Sequence, residues 1–191
     1  MSESSYHHGD LRNALLGAAE QLLREQGPAA LTLRACARQA GVSHAAPTHH
    51  FGNISGLLTA LAAIGFRKMW QAQQQKLQTV PDDLSSRAKA AGMGYIQFAL
   101  DNPALFDLMF RDPRIDWHNA ELTEAFKIAR QPVFAAINAK ALKEADTDPH
   151  SSWLRAWSLV HGFATLATAG LLGAQDGHQP DFQQLMRQLL D

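Results

Sequence analysis

Residues 32–51 read TLRACARQAGVSHAAPTHHF, and this stretch decides the fold. Leu33, Cys36 and Ala37 fall on one apolar face at helical spacing, and Thr32 precedes them with a hydroxyl that can accept from an orphan backbone amide. Gly41 stops this helix, because glycine takes the left-handed conformation that a helix C-terminus commonly requires. Val42 is placed to fill the angle between two helices, and Ser43 is expected to cap the second of them. A helix, a three-residue turn and a short second helix form the arrangement that lays the second helix in the major groove of DNA.

The surrounding sequence is helical throughout. Leu11, Leu15, Ala18, Leu22 and Leu23 recur at helical spacing from Asp10 to Gln26, where Gly27-Pro28 ends the pattern. Asn53 is an expected cap for a long helix from about Ile54 to Leu77, striped by Leu57, Leu58, Leu61, Gly65 and Met69. Further helices are expected from Leu84 to Leu100, from Asn102-Pro103 through Phe110, and from Glu121 to Ala145 with a kink near Pro132. Asp148-Pro149 introduces a long helix through Leu172, and Pro180-Asp181 starts the last. No stretch reads as a strand, so the expectation is an all-α chain of about nine helices. Residues 1–55 form a helix-turn-helix domain in this reading, and residues 56–191 a larger helical domain.

Composition narrows the class. The single cysteine, Cys36, excludes an intrachain disulfide and suits a reducing compartment. No basic, apolar leader is evident, and the apolar stretch from Trp153 to Gly173 is broken by Arg155, Ser158 and His161. A cytoplasmic protein with no membrane partner is expected. Charge is the unusual feature. Up to Ser55, four arginines (Arg12, Arg24, Arg34, Arg38) balance four acids (Glu3, Asp10, Glu20, Glu25), where a nucleic-acid domain ordinarily has a basic surplus. Five of the nine histidines, His7, His8, His44, His49 and His50, lie in the same segment.

The helix order and the head motif resemble the TetR family of bacterial transcriptional regulators. Its usual pattern, Thr-x-x-x-Ile-Ala-x-x-Ala-Gly-Val-Ser followed by a short helix ending in Tyr-x-His-Phe, is matched at Thr32, Ala37, Ala40, Gly41, Val42, Ser43, His50 and Phe51. The opening YHHGDLRNALLGAA is similar to the start of many such heads. Trp157, His161 and Gly162 resemble a subgroup with a Trp-His-Gly pattern in its sensor domain, and NPALFDLMF at 102–110 fits it as well. Three positions depart from the pattern. Thr48 stands where many members have a phosphate-reaching tyrosine, Ile54 replaces a usual lysine, and Pro47 replaces a common leucine.

Geometry and resemblance assign the same roles in the head. His44, Ala45, Ala46 and His49 are the candidates for base edges, since histidine can donate to guanine acceptors and alanine methyls can touch thymine methyls. Thr32, Ser43, Thr48 and His50 are the candidates for phosphate contact, as helix-start amides and hydroxyls favour anions. Metal binding is not expected. Adjacent histidines on a helix diverge by about 100°, and no His-Glu-x-x-His or Cys-x-x-Cys spacing occurs. Cys36 reads as a small buried residue.

The resemblance also implies an effector pocket among the body helices, with Phe66, Trp70, Tyr95, Phe98, Met109, Trp117 and His161 as candidate lining residues. It implies, too, a homodimer through the last two helices, about Trp153 to Leu172 and Asp181 to Leu190. The small residues Ala164, Ala167, Ala169, Gly170 and Gly173 are expected to let a second copy of the helix approach. No nucleophile-base pair, phosphate loop, catalytic residue or cofactor motif is present in the sequence. The expected function is therefore a dimeric repressor released from a pseudo-palindromic double-stranded operator by a small molecule. The alternative is a helical small-molecule-binding protein without productive DNA binding.

Overall fold

A computed structural model describes residues 3–141, 148–172, 181, 184, 185 and 188, and every regular element among them is helical. The helices are α1 (Glu3–Gln26), α2 (Leu33–Gln39), α3 (Ala46–Phe51), α4 (Ile54–Leu77), α5 (Leu84–Asp101), α6 (Pro103–Arg111), α7 (Ala120–Ala141) and α8 (Pro149–Thr168). A single 3-10 turn, Pro28–Ala30, follows α1. The ninth helix expected near the C-terminus is described only at its opening, where the Asp181 carboxylate accepts from the Gln184 amide at 3.1 Å. Residues 182, 183, 186, 187 and 189–191, with Gly173 and the stretch from 142 to 145, lie outside the described residues.

Side chains fix most of the helix ends. Thr32 Oγ1 accepts from the Ala35 amide at 3.0 Å and Asn53 Oδ1 from the Gly56 amide at 3.0 Å, so both expected caps form. Asp83 and Asp148 cap α5 and α8 in the same way, and the side-chain hydrogen bonds of Ser86 and Ser151, with the bonded backbone amides, hold both carboxyls below the usual carboxylate range. Helix α1 begins at Glu3, earlier than the apolar pattern alone indicates. Helix α8 stops at Thr168 rather than running to Leu172. The Leu171 amide bonds back to the Leu166 carbonyl and the Gly170 amide to Ala167, closing the last turn.

By compactness the chain divides into two units, Met1–Phe66 with Ala104–Ala125, and Arg67–Pro103 with Phe126–Asp191. In the first, Leu15, Leu16, Leu22 and Leu23 of α1 are buried with Cys36 and Ala37 of α2 and Leu57, Leu58 and Leu61 of α4. All but Leu16 are residues that the 3.6-residue periodicity selects. Polar links tie residues 112–121 into this unit. Ser55 Oγ donates to the Arg114 carbonyl at 2.6 Å, the Asp116 amide donates to the buried Thr59 hydroxyl at 3.0 Å, and Arg12 pairs with Glu121 at 2.8 Å.

In the second unit α5 packs on α8. A side chain at Gly94 would collide with the backbone of Ala72 and Gln73, so α5 and this part of α4 approach backbone to backbone. Gln73 is fully buried, and its amide nitrogen donates to the Ala129 carbonyl at 2.9 Å. Two of the small residues expected at a contact between copies, Ala164 and Ala167, are used differently, while Ala169 is exposed. Ala164 and Ala167 are buried inside the subunit, where they allow the helices to pack closely, and Gly170 is exposed. The outward apolar residues of α8 are instead Leu154, Leu159 and Leu166, each between 44% and 45% exposed.

Candidate functional site

The turn between α2 and α3 is built by its sequence. Gly41 has φ 67°, a conformation open to glycine at little cost. The Val42 amide bonds to the Ala37 carbonyl at 3.0 Å and the Gly41 amide to Arg38 at 3.2 Å, the paired bonds that close a helix with a glycine one residue beyond its cap. Val42 is half-buried, as a residue filling the inter-helix angle should be.

The start of α3 corrects one expectation. Ser43 does not cap the helix. Ala45 occupies that position, and Ser43 contributes only its backbone carbonyl, which accepts from the Ala46 amide at 3.1 Å. Pro47 is the reason. A helix capped by Ser43 would need the residue-47 amide to bond the Ser43 carbonyl, and proline has no N–H to give. The helix starts later, and Pro47 falls in its first turn, where a missing amide proton costs little.

Around this turn the structure gathers most of the expected contact residues at the surface. Thr32, Ser43, His44, Ala45, Thr48 and His49 are exposed, while Ala46 and His50 are half-buried. The rings of His49 and His50 meet edge to face at 5.6 Å between centroids, and His50 lies 6.2 Å from Phe51. The Thr32 oxygen is engaged by the Ala35 amide, which leaves its hydroxyl proton to donate. The arginines of the head differ from one another. Arg12 sits over the Phe51 ring at 5.6 Å and pairs with Glu121, whereas Arg24, Arg34 and Arg38 are exposed. Arg34 and Arg38 are four residues apart and share a face of α2, a juxtaposition that the balanced head charge obscured in the sequence. Cys36 is fully buried, and burial pushes its thiol up, away from reactivity.

The expected effector residues are spread over both units. In the first, Phe66 is 1% exposed and meets Phe110 edge to face at 5.4 Å and Trp117 at 6.0 Å. Met109 is fully buried there, and Trp117 is exposed. In the second, Phe98 is buried and Tyr95 bonds His161 Nδ1 at 2.8 Å. Trp157 stacks on Trp153 at 5.3 Å and lies 5.7 Å from His161, so α8 carries an aromatic ladder. Its indole N–H also donates to the Tyr95 oxygen.

Trp70 lines a partly open cleft of about 260 Å³ within the second unit, together with Gln74 and Leu77 of α4, Leu84 and Arg87 of α5, and Gln131 and Pro132 of α7. The periodicity of α4 contained this signal, since residues 70, 74 and 77 share one stripe. The α5 and α7 contributions are set by tertiary packing and have no mark in the sequence.

Comparison with known proteins places this geometry. Residues 15–61 match the model of bacterial regulatory proteins of the tetR family, and residues 88–191 match that of a tetracyclin repressor-like C-terminal domain. No match is found among curated proteins. Among solved structures, a protein of unknown function from Rhodococcus sp. RHA1 is 33% identical, with 98% of this chain and 97% of that chain covered and a TM-score of 0.78. A putative tetR family transcription regulator from Shewanella sp. PV-4 shares the fold at 21% identity, covering 94% of this chain and 95% of its own, with a TM-score of 0.66. The TetR-like regulator LfrR from Mycobacterium smegmatis, solved in complex with proflavine, does so at 21% identity, 94% and 92% coverage and a TM-score of 0.61. With its C-terminal model covering more than half of the chain and its N-terminal model covering the helix-turn-helix, the chain belongs to the TetR family of bacterial regulatory proteins.

Proposed function

We propose that the protein is a cytoplasmic, dimeric DNA-binding regulator that represses from a pseudo-palindromic operator and is released by a small-molecule effector. The observation that carries this reading is the exposed run Ser43–Ala45, Thr48 and His49, held beyond a hydrogen-bonded glycine turn at the entry to α3. Residues 1–55 serve as the DNA head and residues 56–191 as the effector and dimerisation body. His44, Ala45, Ala46 and His49 read base edges; Thr32, Ser43, Thr48 and His50 hold the backbone, joined by Arg34 and Arg38 of α2, the helix that crosses the phosphates in this motif.

The dimer face is the outer side of α8. Leu159 and Leu166 are seven residues apart and both exposed, with Gly162 and half-buried Phe163 between them on the same stripe. An unpartnered apolar stripe on a body helix is what a second copy would cover. The proflavine complex of LfrR supports an effector-binding body in a protein of this fold. A role without DNA binding is favoured by one feature, the equal charge of the head, in which Arg12 is already paired with Glu121.

Selection of fragments bound by the full-length protein from random duplex DNA separates the two readings. Enrichment of one inverted repeat is the expected result. His44→Ala should then cost on the order of 1–3 kcal/mol on the enriched site and relax one base position per half-site. No enrichment overturns the DNA-binding reading, and equal losses on specific and random DNA remove His44 from base reading.

A further inference from the structure

We infer that the cleft lined by Trp70 and Arg87 takes a small monocarboxylate with a flat or branched apolar body. The inference rests on the reading of the body as an effector domain and gives the chemical class of the effector. Its walls are apolar on three helices: Trp70 and Leu77 from α4, Leu84 from α5 and Pro132 from α7. Its polar lining residues are Arg87, Gln74 and Gln131. Among the described residues no carboxylate lines it.

This donor set selects charge. The guanidinium offers two parallel N–H donors that match a carboxylate, and the two amides can complete its remaining lone pairs. Arg87 does pair with Asp82 at 3.1 Å, but the Asp82 side chain is 92% exposed. An exposed pair of this kind is worth roughly 0–1 kcal/mol, so it gives way readily to a carboxylate delivered on an apolar body. The Asp83 carboxylate is turned to the Ser86 amide at 2.9 Å as the cap of α5 and is absent from the lining. A ligand ammonium would meet the same guanidinium, whose partner Asp82 is exposed and lies outside the lining. The size follows from the volume. At about 260 Å³ the space lies below the range of roughly 300–1,000 Å³ that holds drug-sized ligands, which selects a single ring or short branched chain.

The test is calorimetric titration of the full-length protein with three matched probes: 3-phenylpropanoate, 3-phenylpropanamide and 3-phenylpropylamine. The carboxylate should bind at least about tenfold tighter than the amide and the amine, a gap of about 1.4 kcal/mol. Arg87→Gln should bring it down to the level of the amide, and Arg87→Lys, which keeps the charge without the fork, should retain part of the preference. Neither change is expected to disturb folding, since the bond from Arg87 to Asp82 is at the surface. Tighter binding of the amine or amide, an unchanged preference in Arg87→Gln, or no binding of any probe at millimolar concentration overturns the inference. Binding is measured without DNA, so carboxylate preference that depends on Arg87 upholds the inference even where no DNA sequence is enriched. In that case it is the regulatory reading that falls.

Discussion

Pro47 shows how one residue can move an element. The sequence offers Ser43 as a cap, but the missing amide proton of Pro47 prevents a helix from starting there, and α3 begins at Ala46. A second residue with a measurable consequence is Tyr95, which is 4% exposed between Trp157 and His161. Burial raises its phenol above the ordinary value of 10.0, with the Trp157 bond opposing more weakly. The group is an acid with a raised folded-state pKa. Its stabilisation is therefore complete below the unfolded value near ~10 and declines as pH rises from there toward the folded value. In an alkaline titration, the phenolate signal that disappears in Tyr95→Phe should arise only together with loss of helical circular dichroism. Ionisation of Tyr95 while the helices persist would contradict the burial argument.

At the scale of elements, the helices and most of their ends, though not the start of α3, were legible because periodicity and capping are local. Thr32, Asn53, Asp148 and Gly41 act where their chemistry places them. The small residues of α8 were legible as a close-packing surface but not as to which one. Ala164 and Ala167 face the subunit interior, a choice made by α5 and invisible in the α8 sequence. The cleft was legible only through Trp70, because its other walls come from helices distant in sequence. The head charge has its consequence at this scale too. With Arg12 engaged, each head offers Arg24, Arg34 and Arg38, and affinity should fall only gently with salt, since the slope follows the number of phosphates neutralised. Replacing Arg34 by alanine should weaken specific and random DNA alike and reduce the slope by about 1 per head. A steep slope that Arg34→Ala leaves unchanged would place the phosphate contacts elsewhere.

For the whole molecule, the proposed function needs a DNA-reading turn in each protomer and a second copy held through the outer stripe of α8. Neither is sufficient alone. A single short α3 presents few base-reading groups, and an inverted repeat is read only when two heads are held at a fixed spacing. On the proposed function, the leucines of α8 are as necessary to sequence recognition as His44. A charge at Leu166, exposed in the single subunit, should leave the fold intact and separate the copies. The most direct test is sedimentation velocity of the full-length protein with a labelled duplex carrying the selected inverted repeat, beside a scrambled duplex and a Leu166→Glu variant. The expected result is a complex of two protomers per repeat, absent on the scrambled duplex and lost in the variant. Equal complex formation on both duplexes, or one protomer bound with undiminished affinity in Leu166→Glu, would contradict it.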